Sequence, residues 1–144
     1  MRDIPESEIA GIVSPDTTRS GSTSAREINL SAVQSVVETV RSTLGPRGKD
    51  KLIEKPDGEV LITNDSETIL SETAVSNPVA SLTISVAKTV GQEYHDGSTT
   101  AVILTGALLD AAESLIEQGV APNVVARGFE HARQCADRSL DDVL

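Results

Sequence analysis

Leu30-Ser31-Ala32-Val33-Gln34-Ser35-Val36-Val37-Glu38-Thr39-Val40-Arg41-Ser42-Thr43-Leu44 sets apolar residues at 30, 33, 36, 37, 40 and 44, before Gly45-Pro46 interrupts the run. Spacing by threes and fours lines one face of an α-helix, and Gly-Pro ends one. The stretch from Ala25 to Leu44 is therefore predicted to be an amphipathic helix, and the fold is built outward from it. Downstream, Lys51-Leu52-Ile53-Glu54 and Val60-Leu61-Ile62-Thr63 flank Pro56-Asp57-Gly58. Gly58 can supply the positive φ that a tight turn needs, so the two runs should pair as a hairpin. Asn64 and Asp65 then offer oxygens to the free amides of a short helix from Glu67 to Leu70.

Three longer helices follow. Asn77-Pro78 opens one with Val79, Leu82, Val86 and Val90 on a face. Asp96-Gly97-Ser98 opens the next, carrying Leu104, Leu108, Ala112 and Leu115 until Gly119 ends it. Asn123, after Pro122, begins the last, through Val124, Val125, Phe129 and Ala132. The expectation is a mainly α chain with one small β-hairpin, in which Leu104, Leu108 and Leu115 pack against Val33, Val36, Val40 and Val86 as a single aliphatic core.

Upstream, residues 1–24 contain Pro5, Pro15 and a Ser/Thr/Gly-rich stretch without hydrophobic period, which predicts a mobile tail ahead of one domain at 25–144. A chain of 144 residues suits one domain that buries roughly 70% of its unfolded surface. Twelve basic against 22 acidic side chains give a net charge of −10, a field that repels phosphate backbones and anionic lipid. Neither nucleic acid nor a membrane is an expected partner. Eight of the bases are Arg and four are Lys, and the surface is rich in Ser and Thr, as suits a halophilic cytoplasm where salt screens like charges. Tyr94 and Phe129 are the only aromatics, which leaves no platform on which bases could stack. The single cysteine, Cys135, excludes an internal disulfide. No apolar h-region opens the chain, and the apolar run Ala101–Leu109 is short for a span, so a cytoplasmic location is expected.

Three turns could carry chemistry. In Thr43-Leu44-Gly45-Pro46-Arg47-Gly48 the glycines would let a phosphate approach the main chain, although a helix end leading into a hairpin explains them too. Ile62-Thr63-Asn64-Asp65-Ser66 ends a strand in a carboxylate that could polarise a water or merely cap a helix. Asp96-Gly97-Ser98-Thr99-Thr100 joins a hard-oxygen metal ligand to three hydroxyls at a helix N-terminus, either a phosphate seat with Mg²⁺ or a good cap. No Walker-type G-x-x-x-x-G-K-[ST] run occurs. His131 and Cys135 share a helix face, but two ligands are too few for zinc.

Taken in order, Leu44-Gly45-Pro46-Arg47-Gly48-Lys49-Asp50-Lys51, Ile62-Thr63-Asn64-Asp65 and Asp96-Gly97-Ser98-Thr99-Thr100-Ala101-Val102 resemble the N-terminal equatorial segment of the group II chaperonins, the thermosome family. The resemblance runs from about Ile28 to Ala132 and includes Asn77-Pro78, Val86-Ala87-Lys88-Thr89 and Gln118-Gly119-Val120-Ala121-Pro122. It implies a helical, partial equatorial domain that binds ATP with Mg²⁺ and contacts other subunits. It implies Leu44, Gly45 and Pro46 around the nucleotide, Gly97, Ser98, Thr99 and Thr100 along the phosphates, Asp96 as Mg²⁺ ligand and Asp65 as the carboxylate beside the attacking water.

This chain departs from the family pattern at four places, mildly at Ser98, which replaces Thr and keeps the hydroxyl. Ser66 and His95 stand where that pattern has Gly, which would cost of order 1 kcal/mol wherever φ must be positive. Glu67 replaces a small residue and would bring a carboxylate to the triphosphate. A complete subunit of that family is several times longer, with intermediate and apical domains, so a truncated subunit is expected here. The expected function is an ATP-binding module of protein folding with weak or absent hydrolysis. The alternatives are an interaction protein that docks onto full-length chaperonin subunits or onto itself, and a remnant without function.

Overall fold

The computed structural model describes residues 21–143. The tail expected over 1–24 thus lies outside the described residues except for its end, where helix α1 (Ser22–Arg41) has already begun, three residues ahead of the predicted Ala25. β1 (Lys51–Glu54), β2 (Val60–Thr63), α2 (Ser66–Ser71), α3 (Pro78–Tyr94), α4 (Ser98–Glu117) and α5 (Pro122–Asp141) follow. The chain is mainly α, as its periodicity implies.

α1 buries Val33, Val36, Val37 and Val40 along one stripe. It ends before Leu44: the Thr43 hydroxyl donates to the Val40 carbonyl at 2.8 Å, and the Lys49 amide folds back onto the Ser42 carbonyl at 2.8 Å. Leu44 is therefore lifted off the core and lies half exposed. β1 and β2 pair antiparallel with Leu52 opposite Ile62 and Ile53 opposite Leu61. Period-two alternation turns Ile53 onto the core and leaves Leu52, Val60 and Ile62 exposed.

Asn77 caps α3, its Oδ1 accepting from the amides of Val79 (2.9 Å) and Ala80 (3.1 Å), while its side-chain amide donates to Asn29 of α1 at 3.0 Å. A cap that also crosses to a neighbouring helix fixes where α3 starts and how it lies on α1.

The inner faces of α3 and α4 differ from those predicted. α3 buries Ala80, Thr83, Ile84, Ala87 and Gly91, whereas Leu82 is 65% exposed and Val86 only partly covered. α4 buries Val102 and Gly106, with Ile103 and Leu109 packed beside them, whereas Leu104, Leu108 and Leu115 are exposed. The reason is close approach. A Cβ added at Gly106 would lie 2.5 Å from Val37 Cγ2, so α4 turns its small residue toward the bulky valines of α1. One aliphatic core results, with Ile69 and Leu70 of α2 completing it.

By length and composition α4 could cross a bilayer, which the nine-residue apolar run had not suggested. It packs one face against α1 and α3 and leaves the face of Leu104, Leu108 and Leu115 uncovered. α5 touches α4, buries Val125 and partly covers Phe129 near its start, and leaves most of its length exposed.

Candidate functional site

At one end of the helices, three segments far apart in sequence line a single pocket of about 470 Å³. The turn after α1 contributes Thr43, Leu44 and Gly45, the β2–α2 junction contributes Asn64 to Glu67, and the α3–α4 junction contributes His95 to Thr100, with Gly91 from α3. Of the residues singled out in the sequence, Asp65, Leu44, Gly45, Asp96, Gly97, Ser98, Thr99 and Thr100 line this pocket. Pro46 does not, since the turn carries it past the lining after Gly45.

Asp65 is the N-cap of α2. Its Oδ2 accepts from the Thr68 amide at 2.7 Å and from the Thr68 hydroxyl. The hydroxyl bond first, and the amides of Thr68 and Glu67 with it, hold this carboxyl below the usual range. Such a group is a weak proton acceptor, better suited to orienting a water than to deprotonating it. Asp96 has a different local role: its Oδ1 accepts from the adjacent Gly97 amide at 2.6 Å. Gly97, at φ 81°, is the N-cap of α4 and supplies no side-chain cap. The amides at the start of this 20-residue helix thus face the pocket without a capping oxygen, next to the hydroxyls of Ser98, Thr99 and Thr100.

The departures from the family pattern have distinct outcomes. His95 does adopt the left-handed conformation, with φ 58° and ψ 17°, and its amide closes α3 on the Gly91 carbonyl at 2.9 Å. Ser66 does not, because it is already the first residue of α2. It is 2% exposed, and among the described residues its hydroxyl is the only buried side-chain polar atom without a partner. Gly91 shows why Glu67 fits: a Cβ there would lie 2.5 Å from Glu67 Oε2 and 2.9 Å from Ser98 Oγ.

Gly91 was missed in the sequence. Gly91 had a usable signal, since a glycine inside a helix costs about 1 kcal/mol relative to alanine and needs a reason. The pocket lining includes the carboxylates of Asp65, Glu67 and Asp96, one imidazole, and no Lys or Arg among the described residues. A phosphate would therefore find hydrogen-bond donors here but little positive charge, and the hard carboxylate oxygens fit a divalent cation such as Mg²⁺. The orphan Ser66 hydroxyl is consistent with a polar guest. Away from this pocket, His131 Nε2 stands 3.8 Å from Cys135 Sγ. Neither there nor in the pocket do three metal-ligating side chains form a group among the described residues, so a cation here would take one or two carboxylates and draw its other ligands from phosphate or water.

A model of the TCP-1/cpn60 chaperonin family matches residues 36–143. Among curated relatives, the chain is 45% identical over 132 residues to thermosome subunit alpha of Methanothermobacter thermautotrophicus, covering 92% of this chain and 24% of that one. It is 44% identical over 132 residues to thermosome subunit 2 of Haloferax volcanii, with the same coverage. Against thermosome subunit alpha of Halobacterium salinarum it is 40% identical over 131 residues, 91% of this chain and 23% of the relative. The chain thus spans about a quarter of the length of these relatives.

Proposed function

The chain belongs to the TCP-1/cpn60 chaperonin family, and from that premise we propose that it is a nucleotide-binding module of protein folding that takes ATP with Mg²⁺ in the pocket described above. The observation that carries this reading is the convergence of the three turns on the uncapped start of α4. In this reading the open amides and the hydroxyls of Ser98, Thr99 and Thr100 receive phosphate oxygens. Gly97 and Gly45 let the main chain come close, and Leu44 borders the nucleotide. Asp96 holds the Mg²⁺, whose charge offsets that of the phosphates. Asp65 orients the attacking water. Hydrolysis is slow or absent, because in-line attack needs groups on both sides of the water and Asp65, spent partly on Thr68, offers one.

The test is thermal unfolding of the purified chain in high salt, with and without Mg-ATP. Binding to the native state stabilises it by RT ln(1 + [L]/Kd), about 2.7 kcal/mol at a hundredfold excess over Kd. A rise in Tm is expected; an unchanged Tm at millimolar Mg-ATP would refute the reading.

A second reading has its own support. Leu104, Leu108 and Leu115 form an exposed stripe on α4, and Val124 and Leu140 are exposed on α5. Apolar surface of this kind favours association with full-length chaperonin subunits or with itself. Co-purification with such subunits, without any effect of ATP on Tm, would favour this reading over the first.

A further inference from the structure

We infer that Glu67 is a specificity-determining residue of this pocket, restricting it to phosphate that arrives complexed with a divalent cation and rejecting the metal-free anion. The inference rests on the nucleotide reading of the pocket. An uncapped helix start by itself accepts any anion, because amides and dipole favour negative charge of every kind. α4 has such a start, with no acidic residue in its own first turn.

The discriminating charge comes instead from α2. Glu67 follows the buried Ser66 and lines the pocket, and its Oε2 reaches over Gly91 to the spot that Ser98 Oγ also crowds. In this placement the carboxylate occupies the space that the missing Cβ of Gly91 leaves open, 2.5 Å from where that Cβ would stand. The neighbouring Ser66, whose buried hydroxyl is unpartnered among the described residues, lines the same pocket and could bond a polar guest there.

The charged groups around this place are Asp65 and Asp96, with His95 as the single basic side chain. A bare polyphosphate would therefore meet three carboxylates with no Lys or Arg to offset them. A metal-complexed phosphate meets the same groups with much of its charge cancelled, so the repulsion from Glu67 falls mainly on the uncomplexed form.

The experiment measures the affinity of the full chain for ATP by calorimetry, once with Mg²⁺ and once with EDTA, for the native protein, Glu67→Gln and Glu67→Ala. Far-UV circular dichroism checks that each is folded. In Glu67→Gln the ratio of metal-free to Mg-bound Kd should shrink by about tenfold, through tighter binding of metal-free ATP, as expected on removing one like charge beside a polyanion. Glu67→Ala should do the same. An unchanged ratio in Glu67→Gln, with Mg-ATP still bound, would overturn the inference and leave the nucleotide reading standing. Loss of Mg-ATP binding in Glu67→Gln would overturn it by making Glu67 a metal ligand. Failure of every protein to bind ATP in either form would overturn the nucleotide reading and this inference with it.

Discussion

α2 and α4 both start at the pocket, and they start in opposite ways. α2 has six residues and satisfies itself: Asp65 turns a carboxylate oxygen back onto the Thr68 amide and hydroxyl. α4 has 20 residues and opens on Gly97 without a side-chain cap, while Asp96, among the described residues, bonds only the amide next to it. A short helix cannot form alone, because its nucleation cost exceeds what one or two turns return, so it depends on its cap and its buried side chains. A long helix held along its length can leave its first amides unpaired and offer them to a ligand. The difference gives Asp65 a local structural role, and in the proposed reading it leaves Asp96 to the ligand.

The sharpest way to break this contrast is at the packing that anchors α2. Leu70 is 1% exposed, and Leu70→Ala should lower stability by about 2 to 5 kcal/mol, measured by urea unfolding. Leu108, at 40% exposed, should lose under about 1 kcal/mol on the same change, because its face of α4 is not the packed one. Equal losses at the two positions would mean that the core is not where it is described.

The next effect in size separates the two carboxylates. Asp96→Ala should abolish the stabilisation given by Mg-ATP, about 2.7 kcal/mol at a hundredfold excess over Kd, while shifting the ligand-free protein by less than about 0.5 kcal/mol. Asp65→Ala should do the reverse. Losing an N-cap costs about 1 kcal/mol in the ligand-free protein, and the Mg-ATP increment should survive. The pH dependence checks the cause. Because Asp65 titrates below its unfolded value in the native state, its contribution is fully present above about pH 4 and is lost as pH falls through the depressed native value. The stability gap between native protein and Asp65→Ala should therefore close in acid.

The elements and turns were legible because each rests on local chemistry. The valine stripe of α1, the Pro56-Asp57-Gly58 turn and the Asn77 cap need no knowledge of what lies across from them. The faces of α3 and α4 were not legible in the same way. Apolar residues surround much of both helices, so periodicity alone allows a rotation of one or two residues. What fixes it is a nonlocal fit, Gly106 against Val37 and the small residues of α3 against α1. The gathering of the three turns into one pocket is equally nonlocal, and it entered through the resemblance to a known family. Gly91 was missed for the same reason, because its partner Glu67 lies 24 positions away in sequence but directly over it in space.

The smallest effect concerns the residue that joins α3 to α4. His95 holds a left-handed conformation that glycine adopts freely, and its amide still closes α3 on the Gly91 carbonyl. His95→Gly removes the Cβ strain, worth of order 1 kcal/mol, but gives the unfolded chain more freedom, which takes back 0.5 to 1 kcal/mol. The net change in the ligand-free protein should lie within about 0.5 kcal/mol of zero. Binding should respond more clearly than stability, because the imidazole lines the pocket and is its only basic side chain among the described residues. If His95 merely crowds the phosphates, His95→Gly will tighten Mg-ATP; if its ring donates to them, His95→Gly will weaken Mg-ATP and His95→Asn will restore part of the loss. Asparagine tolerates the same backbone conformation and keeps a donor, so the pair of variants separates the ring's contribution from the turn's. A loss of several kcal/mol in the ligand-free His95→Gly protein would show instead that the imidazole is part of the packing, contrary to its exposed position at the end of α3.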